Sequence, residues 1–414
     1  MSKNIESGTI PINSLQDSLL NAYYSANSFP SEKIKQVSLI RKLWNEHRLK
    51  KLVNKALKEL EPLFPVIEEH IESASETLAP ELKETKVLMN DLLKKLDQQQ
   101  LLFDEPFLTF FMDQGYMTVA EDFIIRVRKE DPELKNEEIF QALRNVWIMN
   151  SLQIYWGEPL KLSTPMVAYS LLYPYTDNFL DDAAIKPAAK KAFNSRLSQA
   201  LAGGHVSTNS PTEARIFSLV ESILTSYPKD TYPEVSESIQ LIHQAQVESM
   251  RQCRSEELPR EELLYISLFK GGTSVLADAY LIKGKLTDKE RTYAYNYGAF
   301  LQLLDDLQDV KSDRDEGNQT LFSVEQTQEE TVREIKTLIS LIFKVNSPED
   351  GDTDVQVKMK KVITNCTMLM IMETVGKNPD SVTSSFYKEL ETVSKVRLKA
   401  YSALEKKIKK TIDF

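Results

Sequence analysis

The chain has 414 residues, 42% of them apolar and 27% charged, with a net charge of -10. That is enough apolar material for a sizeable core, and the acidic balance argues against nucleic acid as the main partner, because a phosphate backbone calls for a basic footprint. Glycine is scarce, 12 in 414, well under the usual share of roughly 7%, and with many Leu, Lys, Glu and Gln residues this favours helix over sheet.

Residues 1–30 are polar and mixed and predict a loose lead-in. From 31 the pattern changes. Ile34, Val37, Ile40, Leu43, Trp44, Leu49, Leu52, Val53, Ala56, Leu57 and Leu60 recur at three- and four-residue steps, as in an amphipathic helix. Its other face is basic, with Arg41, Lys42, His47, Arg48, Lys50, Lys51, Lys55 and Lys58. The ordinary reading of that face is solvation, and the sharper one is peripheral contact with anionic lipid or a partner. Pro62 and Pro65 end the element.

A further helix fits 80–103. Residues 104–175 are rich in aromatics, and helices fit 135–152 and 164–182. Beyond them lie helix-length blocks at 186–201, 212–226, 233–255, 260–283, 287–313, 326–344, 354–375 and 380–411, separated by AGGHVSTNSPT, YPKDTYP and NSPEDGDTD. No alternation typical of strands persists, no repeat of fixed period is found, and the linkers are short. The expectation is an all-α bundle at 101–414 with an additional helical region at 1–100.

Cys253 and Cys366 make neither a disulfide framework nor a CxxC pair, which suits a reducing, cytoplasmic setting. The N-terminus lacks the basic-then-apolar pattern of a secretory signal, and no stretch reaches about 18 apolar residues.

Two acidic clusters stand out. The first is DNFLDD at 177–182, with Asp177, Asn178, Asp181 and Asp182. On a helix, Asp177 and Asp181 lie one turn apart on one face. The flanking LLYPY is apolar and aromatic, and carboxylates in such a setting need partners or a metal. Magnesium accepts one or two carboxylates together with substrate phosphates. The second cluster is Asp305, Asp306 and Asp309, with Asp313 a turn further on, after the apolar stretch YGAFLQLL. A calcium loop in DVKSDRDEG fails on spacing, because Gly317 follows Asp313 too closely. A di-iron bundle would need Glu-x-x-His pairs, and His47, His70, His205 and His243 do not supply them.

These residues resemble the class I isoprenoid synthases. GAFLQLLDDLQD, 298–309, is similar to the prenyltransferase motif GxxFQxxDDxxD, with Leu301 in place of Phe. DNFLDD resembles both DDxxD and the squalene-synthase version, DTxxDD. YISLFKGGTSVL, 265–276, is similar to the segment whose lysine holds the diphosphate, which here is Lys270, with two glycines before Thr273. The resemblance implies a class I terpenoid-synthase bundle binding an allylic prenyl diphosphate and about three Mg²⁺ ions, as metals do when they clamp a leaving group. It implies metal contacts from Asp177, Asp181, Asp182, Asp305, Asp306 and Asp309. It assigns Lys270, Gln302, Asn178, Arg251 and Arg254 to the diphosphate, and Asp177, Asp181, Asp305 and Asp309 to catalysis. Tyr169, Tyr173, Phe179 and Phe300 are candidates to stabilise a carbocation, although core packing is the commoner role of such rings. Homodimers are frequent in that superfamily, which admits a homodimer here, and the sequence leaves the oligomeric state open.

The chain has neither a GKxxRP-like segment nor an RRG after the first motif, which together bind the second, homoallylic diphosphate of chain-elongating enzymes. The cyclase NSE motif is also absent, and Gln308 stands where squalene and phytoene synthases carry an arginine. Prenyl transfer, cyclisation and head-to-head coupling therefore stay open, as does a noncatalytic diphosphate-binding module.

Overall fold

The computed structural model describes residues 8–26, 29–30, 34–63, 80–106, 108–181, 185–253 and 257–411. At 63, 80–83, 177, 181, 187 and 408–411 only the backbone is described. Every regular element among them is helical. In chain order they are α1 (Ile12–Tyr24), α2 (Leu39–Leu60), α3 (Pro80–Gln98), α4 (Leu108–Asp113), α5 (Tyr116–Glu130), α6 (Asn136–Trp156), α7 (Thr164–Asp181), α8 (Pro187–Leu201) and α9 (Pro211–Ser226). They continue with α10 (Pro233–Ser249), α11 (Arg260–Lys283), α12 (Asp288–Gln308), α13 (Val310–Glu316), α14 (Gln328–Val345), α15 (Asp354–Lys377), α16 (Ser384–Val393) and α17 (Leu398–Thr411).

Local chemistry sets many of the ends. Thr287 and Glu290 form a capping box on α12, with Thr287 N donating to Glu290 Oε2 at 2.9 Å and Glu290 N to Thr287 Oγ1 at 3.3 Å. Thr327 with Glu330 and Thr353 with Gln356 do the same for α14 and α15. Each box satisfies two backbone N–H groups that a helix start leaves without partners.

The chain divides into two compact units, Met1–Ala26 with Leu134–Glu325 and Asn27–Glu133 with Gln326–Phe414. The boundaries of these units differ from the expected division near residue 100. The expected loose lead-in contains α1, which buries Ile12, Leu15, Leu19 and Tyr23. Its Gln16 donates to the Tyr265 carbonyl at 3.1 Å and accepts from the Tyr295 hydroxyl. Glu237 holds the Thr9 and Ile10 N–H groups at 2.9 and 3.1 Å. These contacts join α1 to α10, α11 and α12 across more than two hundred residues of sequence.

In the first unit, α11 and α12 run antiparallel and make the most extensive helix pair, with α10, α6 and α7 against α11 and α9 against α7. The pairing is close because glycine meets glycine. A Cβ on Gly271 would strike the Gly298 carbonyl, and one on Gly298 would strike that of Gly271. A Cβ on Gly272 would lie 2.6 Å from Tyr295 Cζ. The two glycines before Thr273, out of pattern in the sequence, are what lets the backbones approach.

In the second unit, α2 packs on α3 and α17, and α15 on α14, α16 and α17. The block expected at 380–411 is two helices, because the chain turns extended at Ser394, with φ -75° and ψ 143°. Three polar side chains of α2 satisfy this break. Lys42 donates to the Glu391 carbonyl, and Asn45 Nδ2 donates to the Lys395 carbonyl at 2.8 Å. Glu46 accepts from Arg397 N at 2.9 Å, Nε at 2.7 Å and the terminal nitrogen at 2.6 Å. Burial opposes the charge on Glu46, but its hydrogen bonds and ion pair with Arg397 outweigh that cost and hold its carboxyl below the ordinary range. The expected orientation of the start of α2 is therefore reversed. Lys42, Asn45 and Glu46 are buried, while Leu39, Ile40, Leu43 and Trp44 face outward.

The glycine contact gives a test of sign. By helix propensity alone, Gly298→Ala stabilises by about 1 kcal/mol. Against the Gly271 carbonyl, overpacking costs about 1–3 kcal/mol, which cancels or exceeds that gain. Urea unfolding is expected to show a net loss of stability for Gly298→Ala and also for Gly271→Ala.

Candidate functional site

Helix α12 carries the second acidic cluster to its C-terminus, where Asp309 is the last residue before α13, at φ -94° and ψ 11°. The expected single helix through 313 is interrupted here. Asp313 is thereby drawn into holding the next loop, accepting from Asn318 Nδ2 at 2.9 Å and Thr320 Oγ1 at 3.3 Å.

The three aspartates of 305–309 have different surroundings. Asp306 points into the α11–α12 seam and is buried. It accepts from Ser267 Oγ at 2.6 Å and Gln302 Nε2 at 2.9 Å. Burial pushes its carboxyl up to about 7, against the pull of those two hydrogen bonds. Gln302, assigned from the motif to the diphosphate, spends its amide N–H on Asp306. The Ser267–Asp306 hydrogen bond ties α12 to α11 beside the cluster.

Asp305 and Asp309 reach solvent. Protein still crowds Asp305, and burial lifts its carboxyl above the ordinary range, opposed by the positive charges of Arg144 and Lys270 and reinforced by Asp313. For Asp309 burial again leads, followed by repulsion from Asp305 and Asp313, with Arg144 opposing. Two partly desolvated carboxylates thus repel one another, and Arg144 from α6 and Lys270 from α11 partly offset the repulsion. Arg144 was not singled out from the sequence. It lies 161 residues before Asp305 in an unremarkable helical stretch, QALRNVW, and only packing brings the two together.

The other expected site residues divide. Asn178 lies on α7 and its amide donates to Glu138 at the start of α6. Arg251 is committed to Glu248 and Glu262, which hold its charge in an ion-paired network. The side chains of Asp177 and Asp181, together with Asp182 and Arg254 entirely, lie outside the described residues. Among the described residues, no three His, Cys, Asp or Glu side chains are placed to hold one metal ion. The donor set at Asp305 and Asp309 is nevertheless all carboxylate oxygen and open to solvent. Those properties fit a hard cation such as Mg²⁺ better than a soft one. Of the four aromatic candidates, Phe300 is fully buried against Tyr297 and Phe179 packs on Phe193 at 4.3 Å between ring centroids, so both are core.

Two turns below Lys270 on α11, about 12 Å along the helix axis, lies a second buried carboxylate. Asp278 has no exposure. Its Oδ1 accepts from Asn145 Nδ2 at 3.0 Å, and Asn145 also reaches Ser170 Oγ at 3.3 Å. Among the described residues Oδ2 has no hydrogen-bond partner. Burial raises its carboxyl well above the ordinary range, with the Asn145 hydrogen bond opposing, and the nearby Tyr169 hydroxyl is raised by burial and by Asp278.

No protein-family model matches the chain, and no curated protein does. Among solved structures it is similar to the crystal structure of a decaprenyl diphosphate synthase from Rhodobacter capsulatus, with 12% identity over 78% of this chain and 98% of that one and a TM-score of 0.32. That likeness is too loose to assign the site, whose chemistry rests on the residues described above.

The Asp278 shift has a consequence for pH. Its folded-state value exceeds the unfolded one, so the native state keeps the proton longer. Its contribution is therefore fully present below the ordinary carboxylate range near 4 and is lost as pH rises toward the folded value. Asp278→Asn keeps an acceptor for Asn145 and removes the ionisation. Urea midpoints measured from about pH 4 to pH 8 are expected to fall less with pH in Asp278→Asn than in the parent.

Proposed function

We propose that the chain is a Mg²⁺-dependent class I isoprenoid synthase that ionises an allylic prenyl diphosphate and then transfers or cyclises the prenyl group. The observation that carries the reading is that Asp305 and Asp309 are exposed at the end of α12, with the positive charges of Arg144 and Lys270 acting on Asp305 and that of Arg144 on Asp309. Carboxylates beside two cations suit a ligand that is itself part metal and part polyanion.

Asp305 and Asp309, with Asp177 and Asp181 from α7, are the residues that would hold the magnesium. Bound Mg²⁺ supplies neutralisation of the negative charge that grows on the diphosphate as the carbon–oxygen bond ionises. Lys270 and Arg144 offer their N–H groups to diphosphate oxygens, where a charge-assisted hydrogen bond is stronger than a neutral one. Asp306, through Ser267, helps to hold α11 against α12 and so Lys270 near Asp305.

The test is direct. Purified full-length protein with Mg²⁺ and a panel of prenyl diphosphates is expected to release diphosphate, with products that identify the coupling. Farnesyl and geranylgeranyl diphosphates distinguish head-to-head coupling from cyclisation. Asp305→Ala and Asp177→Ala are each expected to reduce release by about 10²-fold or more, the usual cost of removing one charge-stabilising group. Arg144→Ala is expected to reduce it in the same direction. Release unchanged in both aspartate variants would overturn the mechanism.

A further inference from the structure

We propose that the outer face of α2 is a docking surface for anionic membrane, independent of the reaction at the aspartate site. The reversal at the start of this helix carries the inference. Its polar residues are turned inward to satisfy the break between α16 and α17. Its apolar ones are left in solvent, with Leu39 60%, Ile40 82%, Leu43 44% and Trp44 43% exposed. Scattered single apolar residues on a surface are ordinary, but four within six positions make a contiguous patch. The inward turn requires only that Lys42, Asn45 and Glu46 face the protein. It does not require large apolar residues on the opposite side, where Lys or Glu would serve a solvated helix better.

The remainder of that face carries three lysines. At 100° per residue, Ile40, Leu43, Trp44, His47, Lys51, Lys55 and Lys58 fall along one line about 27 Å long. His47, Lys51, Lys55 and Lys58 are exposed. The whole chain carries -10, so a positive face here opposes the global charge. Trp44 lies between two guanidinium groups, Arg41 at 4.4 Å and Arg48 at 4.3 Å from its ring centroid. An amphipathic ring held among cations matches the level where lipid headgroups meet acyl chains. The apolar first turns would enter that boundary while the lysines of the later turns meet lipid phosphates. Cations spread over separate turns on flexible stems suit a diffuse layer of phosphates better than a defined acidic peptide.

The test uses the full-length chain and flotation with two kinds of vesicle, phosphatidylcholine alone and phosphatidylcholine mixed with phosphatidylglycerol. Binding is expected to the mixed vesicles, to weaken with salt, and to be about tenfold or more weaker in a Lys51→Glu, Lys55→Glu, Lys58→Glu variant. A variant with Ile40→Ser, Leu43→Ser and Trp44→Ser is expected to lose binding while keeping the parent's circular dichroism and unfolding midpoint. Should that variant fail to fold, quenching of Trp44 emission by brominated lipid is read in the parent against Trp44→Phe, and quenching is expected. The proposal is overturned if the parent does not float with anionic vesicles, if the serine variant binds as the parent does, or if Trp44 emission is not quenched. It is equally overturned if the parent self-associates without lipid through this face and the serine variant does not, because a second copy would then be its occupant.

Discussion

The backbone contact between Gly271 and Gly298 is the constraint on which the first unit depends. Side chains at these positions would hold α11 and α12 apart, and Ser267 would no longer meet Asp306, nor Lys270 face Asp305. Close packing in a protein interior leaves little slack for such a displacement. The same approach lets Tyr295 lie over Gly272 and reach Gln16, which attaches α1. One pair of missing side chains thus positions a buried hydrogen-bond network, a surface charge cluster and an N-terminal helix.

Two sets of buried polar groups, one in each unit, compensate a local interruption or a fixed contact. Asp306 is held by Ser267 and Gln302, and Glu46 and its neighbours satisfy the backbone opened between α16 and α17. A buried carboxylate is tolerable when hydrogen bonds and an ion pair supply what water would have. Asp278 departs from this rule, with one oxygen bonded and the other not, and its raised carboxyl is the electrostatic consequence.

Much of the fold was legible in the sequence. The block 260–283 coincides with α11, and 354–375 lies within α15, because caps and apolar spacing are local and agree with one another there. The first thirty residues misled because α1 is amphipathic over only thirteen residues and its partners lie far along the chain. The block at 287–313 concealed a break at Asp309, and 380–411 one at Ser394, because neither carries a proline or glycine to mark it. The aspartates of 298–309 were legible as a motif, but their separate roles were not. Spacing alone gives Asp305 and Asp306 the same standing, and only packing turns one outward and buries the other.

The sequence by itself determined that the chain is helical, where most of its helices begin and end, and that two aspartate clusters stand on apolar helices. These properties follow from interactions within a few residues: capping, periodicity and composition. Tertiary structure alone decided that Arg144 joins Lys270 beside Asp305, that Gly271 and Gly298 form the seam, and that α2 begins with its polar side inward. Each of these depends on a partner between 27 and more than 300 residues away, with which an isolated helix has no contact. Periodicity describes a helix's two faces, and the partner decides which of them is buried.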